Sequence, residues 1–109
     1  MFGSKMGAVE KAIKKSNAGA LMELAGNKER EVGLAAIVGL GAVGGHEATN
    51  FLISQLGNPD AEFRIAVAQA LGVIGDKHTK AFVSAQISKE TDDKVREAMG
   101  AAMANIKSY

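Results

Sequence analysis

The chain has no cysteine and no tryptophan, a single tyrosine and four phenylalanines, and a formal net charge of +1 over 109 residues. Without cysteine there is no disulfide framework and no thiolate chemistry, which suits a reducing compartment. With 5% aromatic residues, an interior must be filled by Ala, Leu, Ile, Val and Met. A charge balance so close to neutral sets up no global field that would draw in nucleic acid or an acidic partner. No segment approaches the ~18 apolar residues of a membrane span, and no apolar run leads to a small-residue cleavage site at the N-terminus. The expectation is a soluble, cytoplasmic protein of one domain, residues 1–109, with a core only if nearly all of it folds together.

What the sequence does contain is repetition. In Asp60 to Gly75, DAEFRIAVAQALGVIG, the residues Phe63, Ala66, Val67, Ala70, Leu71 and Ile74 advance by steps of three and one and form one stripe of a helix. Laid on Gly26 to Gly44 with a shift of 31 positions, Gly57 to Gly75 is identical at seven of 19 positions. A third copy lies 32 positions downstream, where Asp60, Arg64, Ala66, Ala70 and Ile74 recur as Asp92, Arg96, Ala98, Ala102 and Ile106. A period of this size marks stacked units that lack cores of their own and bury their apolar faces on neighbours. The spacing therefore predicts an all-α solenoid of about three antiparallel helix pairs, over residues 16–45, 46–76 and 77–107, behind a cap helix over 4–15.

In the cap helix Phe2, Met6, Val9 and Ile13 face inward, while Lys5, Lys11, Lys14 and Lys15 give the polar outer face that a terminal unit needs. A basic amphipathic helix could also lie on anionic lipid, so membrane-surface attachment is an alternative for this segment. The units themselves predict helices at Asn17 to Ala25, Glu29 to Val43, Glu47 to Leu56, Asp60 to Gly75, Thr79 to Ile87 and Asp92 to Ile106. Gly26 and Gly57 stop the short helices, with Gly26 in a left-handed conformation. Asn27, Asn58 and Thr91 cap the long ones, with Pro59 at a first helical position and acidic residues in the first turns.

The pattern of Asp before an apolar residue and Arg, then alternating Ala, then Leu-Gly-x-Ile-Gly, resembles the HEAT-like repeat, in the subtype named after the phycocyanobilin lyases. It is carried by Asp60, Phe63, Arg64, Ala66, Ala70, Leu71, Gly72, Ile74, Gly75 and Asp76 in the middle copy. In the last copy it is carried by Asp92, Val95, Arg96, Ala98, Ala102, Met103 and Ile106. The first copy departs, with Glu29 for the Asp and Gly33 for the Arg. The resemblance implies a curved stack of helix pairs that mostly serves protein binding, and a ladder between repeats in which Arg bonds carboxylates and carbonyls. Asp60 with Arg64, and Asp92 with Arg96, also stand four apart on a helix, where opposite charges meet. A structural role is the expectation for all four.

Other signals fit the repeat better than they fit chemistry. Gly39, Gly41 and Gly44 spell G-x-G-x-x-G after Ala35 to Val38, a dinucleotide fingerprint if a strand precedes it. Yet Gly41 and Gly44 align with Gly72 and Gly75, and Gly39 aligns with Ala70, a small residue at a tight contact. His46 and His78, near Glu47 and Asp76, lack any spacing that sharpens a metal site. The serines join no Ser/His/Asp constellation. No catalytic residue, metal or cofactor is expected.

The candidate functional surface is the ridge of long helices. The positions outside the buried stripe are Arg30, Glu31, Leu34 and Val38 in the first unit, Ala61, Glu62, Ile65 and Gln69 in the second, and Asp93, Lys94, Glu97 and Ala101 in the third. Leu34, Val38 and Ile65 would form one apolar patch flanked by Glu31, Glu62 and Glu97, unless curvature buries them between the helices. The expectation is a non-catalytic scaffold that binds a protein partner, or a second copy of itself, through this ridge. The far side of the last helix, with Gly100, Ala101, Met103 and Ala104, offers a second surface for self-association. The alternative is a relative of HEAT-type lyases or glycosylases acting on a tetrapyrrole or nucleic acid. A ridge with three acids against Arg30 and Lys94, and no aromatic side chain, argues against nucleic acid.

Overall fold

The long helices start from paired turns, described in a computed structural model that covers residues 5–106. Asn27 Oδ1 accepts the Glu29 N–H at 2.8 Å, Asn58 Oδ1 accepts the Asp60 N–H at 2.8 Å, and Glu90 Oε2 accepts the Asp92 N–H at 3.0 Å. A second turn follows in two units: Asp60 Oδ1 accepts from Glu62 N–H, and Asp92 Oδ1 from Lys94 and Val95 N–H. The N-cap positions are thus Glu29, Asp60 and Asp92, the two Asp capping with their side chains and Glu29 making no side-chain cap bond, not Asn27, Asn58 and Thr91 as the sequence led us to expect. A carboxylate suits the positive end of a helix better than an amide does, so the Asn is left to order the cap residue itself. Pro59 falls in the preceding turn rather than at a first helical position.

Seven α-helices result among the described residues: α1 (Met6–Lys14), α2 (Ala18–Leu24), α3 (Arg30–Val43), α4 (Gly45–Ser54), α5 (Ala61–Ile74), α6 (Lys80–Lys89) and α7 (Asp93–Asn105), with a 3-10 turn at Lys77–Thr79 before α6. No strand occurs among those residues, and Ala35 to Val38 lie inside α3. The predicted positions of Phe2, Ser4 and residue 107 lie outside the described residues. Gly75, at φ +68, takes the left-handed conformation that closes α5, and Gly44 ends α3 at φ +67. Gly26 does not adopt it. There α2 ends by tightening, with Gly26 N–H donating to the Glu23 carbonyl and Asn27 N–H to that of Leu24.

Two layers are built from these helices. The long helices α3, α5 and α7 pack side by side with α1 at the near end, and α2, α4 and α6 back them. Leu21, Ile37, Leu40, Leu52, Val67, Leu71, Val83, Val95 and Met99 fill the space between the layers. Within the long-helix layer the backbones touch at glycines. A Cβ on Gly41 would stand 2.8 Å from Ala70 Cβ, and one on Gly72 would stand 3.2 Å from Ala102 Cα. Gly39 meets Ile13 of α1 in the same way, at 2.9 Å. The G-x-G-x-x-G spelling is therefore a trace of helix packing, and its phosphate-binding reading falls with the absent strand.

Candidate interaction surface

Arg30, Asp60 and Glu62 come together across the first two units. Arg30, at the start of α3, donates from Nε and Nη2 to the Asp60 carboxylate at 3.0 and 2.6 Å, and its Nη1 pairs with Glu62. The guanidinium also lies over the Phe63 ring, 5.8 Å from its centre. These hydrogen bonds hold the Asp60 carboxyl below its ordinary pKa. The sequence placed Arg30 on the ridge as a contact residue, and the structure occupies its donors with neighbouring acids.

Arg64 serves the next junction. Its Nε and Nη2 donate to the two Glu90 oxygens at 2.9 and 3.1 Å, while Nη1 donates to the Asn58 and Pro59 carbonyls. Burial acts to raise the Glu90 pKa, but the Arg64 hydrogen bonds and the Asp92 amide outweigh it and the net shift is downward. Arg96 donates to the Glu90 carbonyl at 3.2 Å. Asp60 and Arg64 do not pair with each other, and neither do Asp92 and Arg96. The two Asp side chains fold back on their own helix N-termini, which takes them away from the arginine one turn on. In the first unit, where Gly33 replaces the Arg, Phe63 fills the vacated space: a Cβ on Gly33 would stand 2.9 Å from the ring.

On the ridge, Leu34 and Ile65 are half-buried against the core, whereas Val38 is 59% exposed. Glu31, Glu62, Gln69, Lys94, Glu97 and Ala101 are exposed. A shallow groove of about 400 Å³ runs between α5 and α7, lined by Ile65, Gln69, Lys94, Glu97, Ala98 and Ala101. It is continued by a second depression past Gly72 and Val73 to Asn105. Sequence reasoning stopped at Gln69 and missed Val73, which is 72% exposed. The missing signal was the stride of four that leads from Ile65 through Gln69 to Val73, as it leads from Leu34 through Val38 to Ala42.

His46 and His78 are exposed, and no group of three or more His, Asp or Glu side chains converges on a metal-sized site among the described residues. None of the described helices is long and apolar enough to cross a membrane. Lys5, Lys11 and Lys15 line a groove between α1 and α2 together with Ala8, Ala20 and Leu24.

A family model for HEAT repeats matches residues 18–104. The match covers α2 to α7 almost completely and does not extend to the lyase-named subtype. Comparison with curated proteins and with solved structures gives no match.

Proposed function

Because this chain belongs to the HEAT-repeat family, we propose that it is a non-catalytic binding module that holds a protein partner on the ridge of its long helices. HEAT repeats commonly mediate contacts between proteins, and chains built from them are generally non-catalytic. The observation that carries the reading is the pair of exposed valines on the ridge, Val38 on α3 and Val73 on α5, the second of which lines the open groove between α5 and α7. Apolar side chains next to a groove with a charged rim are the mark of a contact surface.

The rim gives the partner's chemistry a sign. Arg30 is neutralised by Asp60 and Glu62, which leaves Glu31, Asp93 and Glu97 against Lys94 at the N-terminal end of the ridge. A partner segment with apolar residues and a basic end fits this surface. The test is Val38→Asp with Val73→Asp, chosen because both side chains are exposed and neither supports the core. Circular dichroism should be unchanged while capture of the partner from native lysate is lost. Retained capture by the folded double variant rejects the ridge as the binding surface.

A further inference from the structure

The short helix of the third unit is set differently from that of the second. The long helices follow one another at 31 and 32 positions, but α6 follows α4 at 35. The 3-10 turn Lys77–Thr79 stands ahead of it, and residues 90–92 alone separate it from α7, where residues 55–60 separate α4 from α5. Along the chain, α6 is therefore carried about one helical turn closer to the long helix of its own unit.

That step changes what α6 packs on. α4 lies against α2, α3 and α5, so the preceding unit holds it as well as its own. α6 lies against α7 and the 3-10 turn, with slight contact at most to α4 and α5, the helices of the preceding unit. Where the two units meet, a Cβ on Gly57 would have Gln86 Oε1 at 3.9 Å, a loose contact beside the 2.8 and 3.2 Å approaches within the long-helix layer. α4 buries Ala48, Thr49 and Leu52, whereas α6 buries Val83. The ends of α6 are held better than its middle. Before it, Thr79 Oγ1 donates to the Asp76 carbonyl at 2.7 Å, and after it Glu90 accepts from Arg64 and from the Asp92 amide. α7 keeps its place without α6, because it packs along α5 with Gly72 against Ala102.

We infer that α6 is a strap: residues 80–89 lift off as a unit between Thr79 and Glu90 while the long-helix layer stays folded, and the open form uncovers α7 at Val95 and Met99. Both of those side chains are wholly buried in the closed form. A helix with one buried side chain and little contact beyond its own unit belongs to the low-stability end of a structure. Its opening exposes far less surface than unfolding of the whole chain, so it responds weakly to denaturant.

Native-state hydrogen exchange of the full chain in rising, sub-denaturing urea tests this. Relative to an unstructured peptide, the amides of Ser84 to Ser88 should exchange roughly tenfold or more faster than those inside α4, α5 and α7. Their rates should change little with urea until they join the others near the unfolding midpoint. Glu90→Gln should speed exchange in α5 and leave that of α6 in water unchanged, because the clamp after the helix outlasts its opening. Amides of α6 that follow the same urea dependence as those of α5 overturn the proposal, since α6 would then open only with the whole chain. So does equally fast exchange in α6 and α7, which would mean that the third unit comes away entire.

Discussion

The Arg64 guanidinium meets the Glu90 carboxylate in two parallel hydrogen bonds, 2.9 and 3.1 Å long, with the Glu90 side chain only 2% exposed. Glu90 therefore ties three things together: the preceding long helix through Arg64, the Asp92 amide before α7, and Arg96 through its carbonyl. Removing the arginine leaves a buried carboxylate without its counter-charge. Arg64→Ala should destabilise the chain by about 3 kcal/mol, read as a lower urea midpoint. Arg64→Lys should recover part of the loss, because an ammonium cannot reproduce the two-pronged geometry. Arg30→Ala makes the contrast: that pair is solvent-exposed, and its loss should barely move the midpoint.

The same carboxylate gives the stability a pH dependence of known sign. Glu90 binds its proton less readily in the folded chain than at its ordinary pKa of 4.5, so on acidification the unfolded state takes up the proton first. The contribution is complete above the ordinary glutamate value and disappears as pH falls through the lower folded value. Asp60 is shifted in the same direction by Arg30. Unfolding midpoints measured from pH 7 down to pH 3 should fall, and Glu90→Gln should flatten that fall while lowering the midpoint at pH 7. An equally steep fall in the variant would show that other carboxylates carry the acid sensitivity.

The repeat was legible because packing imposes it: Ala66, Ala70, Leu71 and Gly72 face neighbouring helices, and their equivalents meet the same constraint in each unit. What the sequence hid were choices among partners at similar distance. Asp60 could bond Arg64 on its own helix, Arg30 on the helix before, or the Glu62 amide, and spacing alone favours the first, while the fold selects the other two. The capping residue moved from Asn to the acid for a like reason, since both types cap well in isolation. The ridge was legible as a face. The burial of Leu34 and Ile65 was not, because it depends on how closely the long helices approach, and that is set by Gly41 and Gly72, two turns further along the same helices.

Those glycines give a prediction with opposite signs at different positions. Gly41→Ala puts a methyl 2.8 Å from Ala70 Cβ, and overpacking of about 1–3 kcal/mol should exceed the helix-propensity gain of about 1 kcal/mol. Combining it with Ala70→Gly should return part of the stability. Gly100→Ala meets open space and should stabilise by about 1 kcal/mol. Chemical denaturation of the three variants checks all of this, and a stabilising Gly41→Ala would mean that α3 and α5 do not approach as closely as described.

Ser16 closes α1 in a conformation that side chains resist. Its φ is +52, its N–H donates to the Ile13 carbonyl, and the Asn17 N–H reaches back to Ala12, so the turn satisfies carbonyls at the end of the helix. Glycine takes this backbone without the Cβ penalty of roughly 1 kcal/mol. The serine is exposed, and no hydrogen bond from its hydroxyl to the described residues offsets that penalty. Ser16→Gly should therefore raise stability by somewhat less than about 1 kcal/mol, the difference being the larger backbone entropy that glycine loses on folding. Ser16→Val, with a branched Cβ in the same turn, should lower it. If both variants unfold at the midpoint of the parent chain, α1 frays before the rest of the array melts, and hydrogen exchange along α1 would then be as fast as in an unstructured peptide.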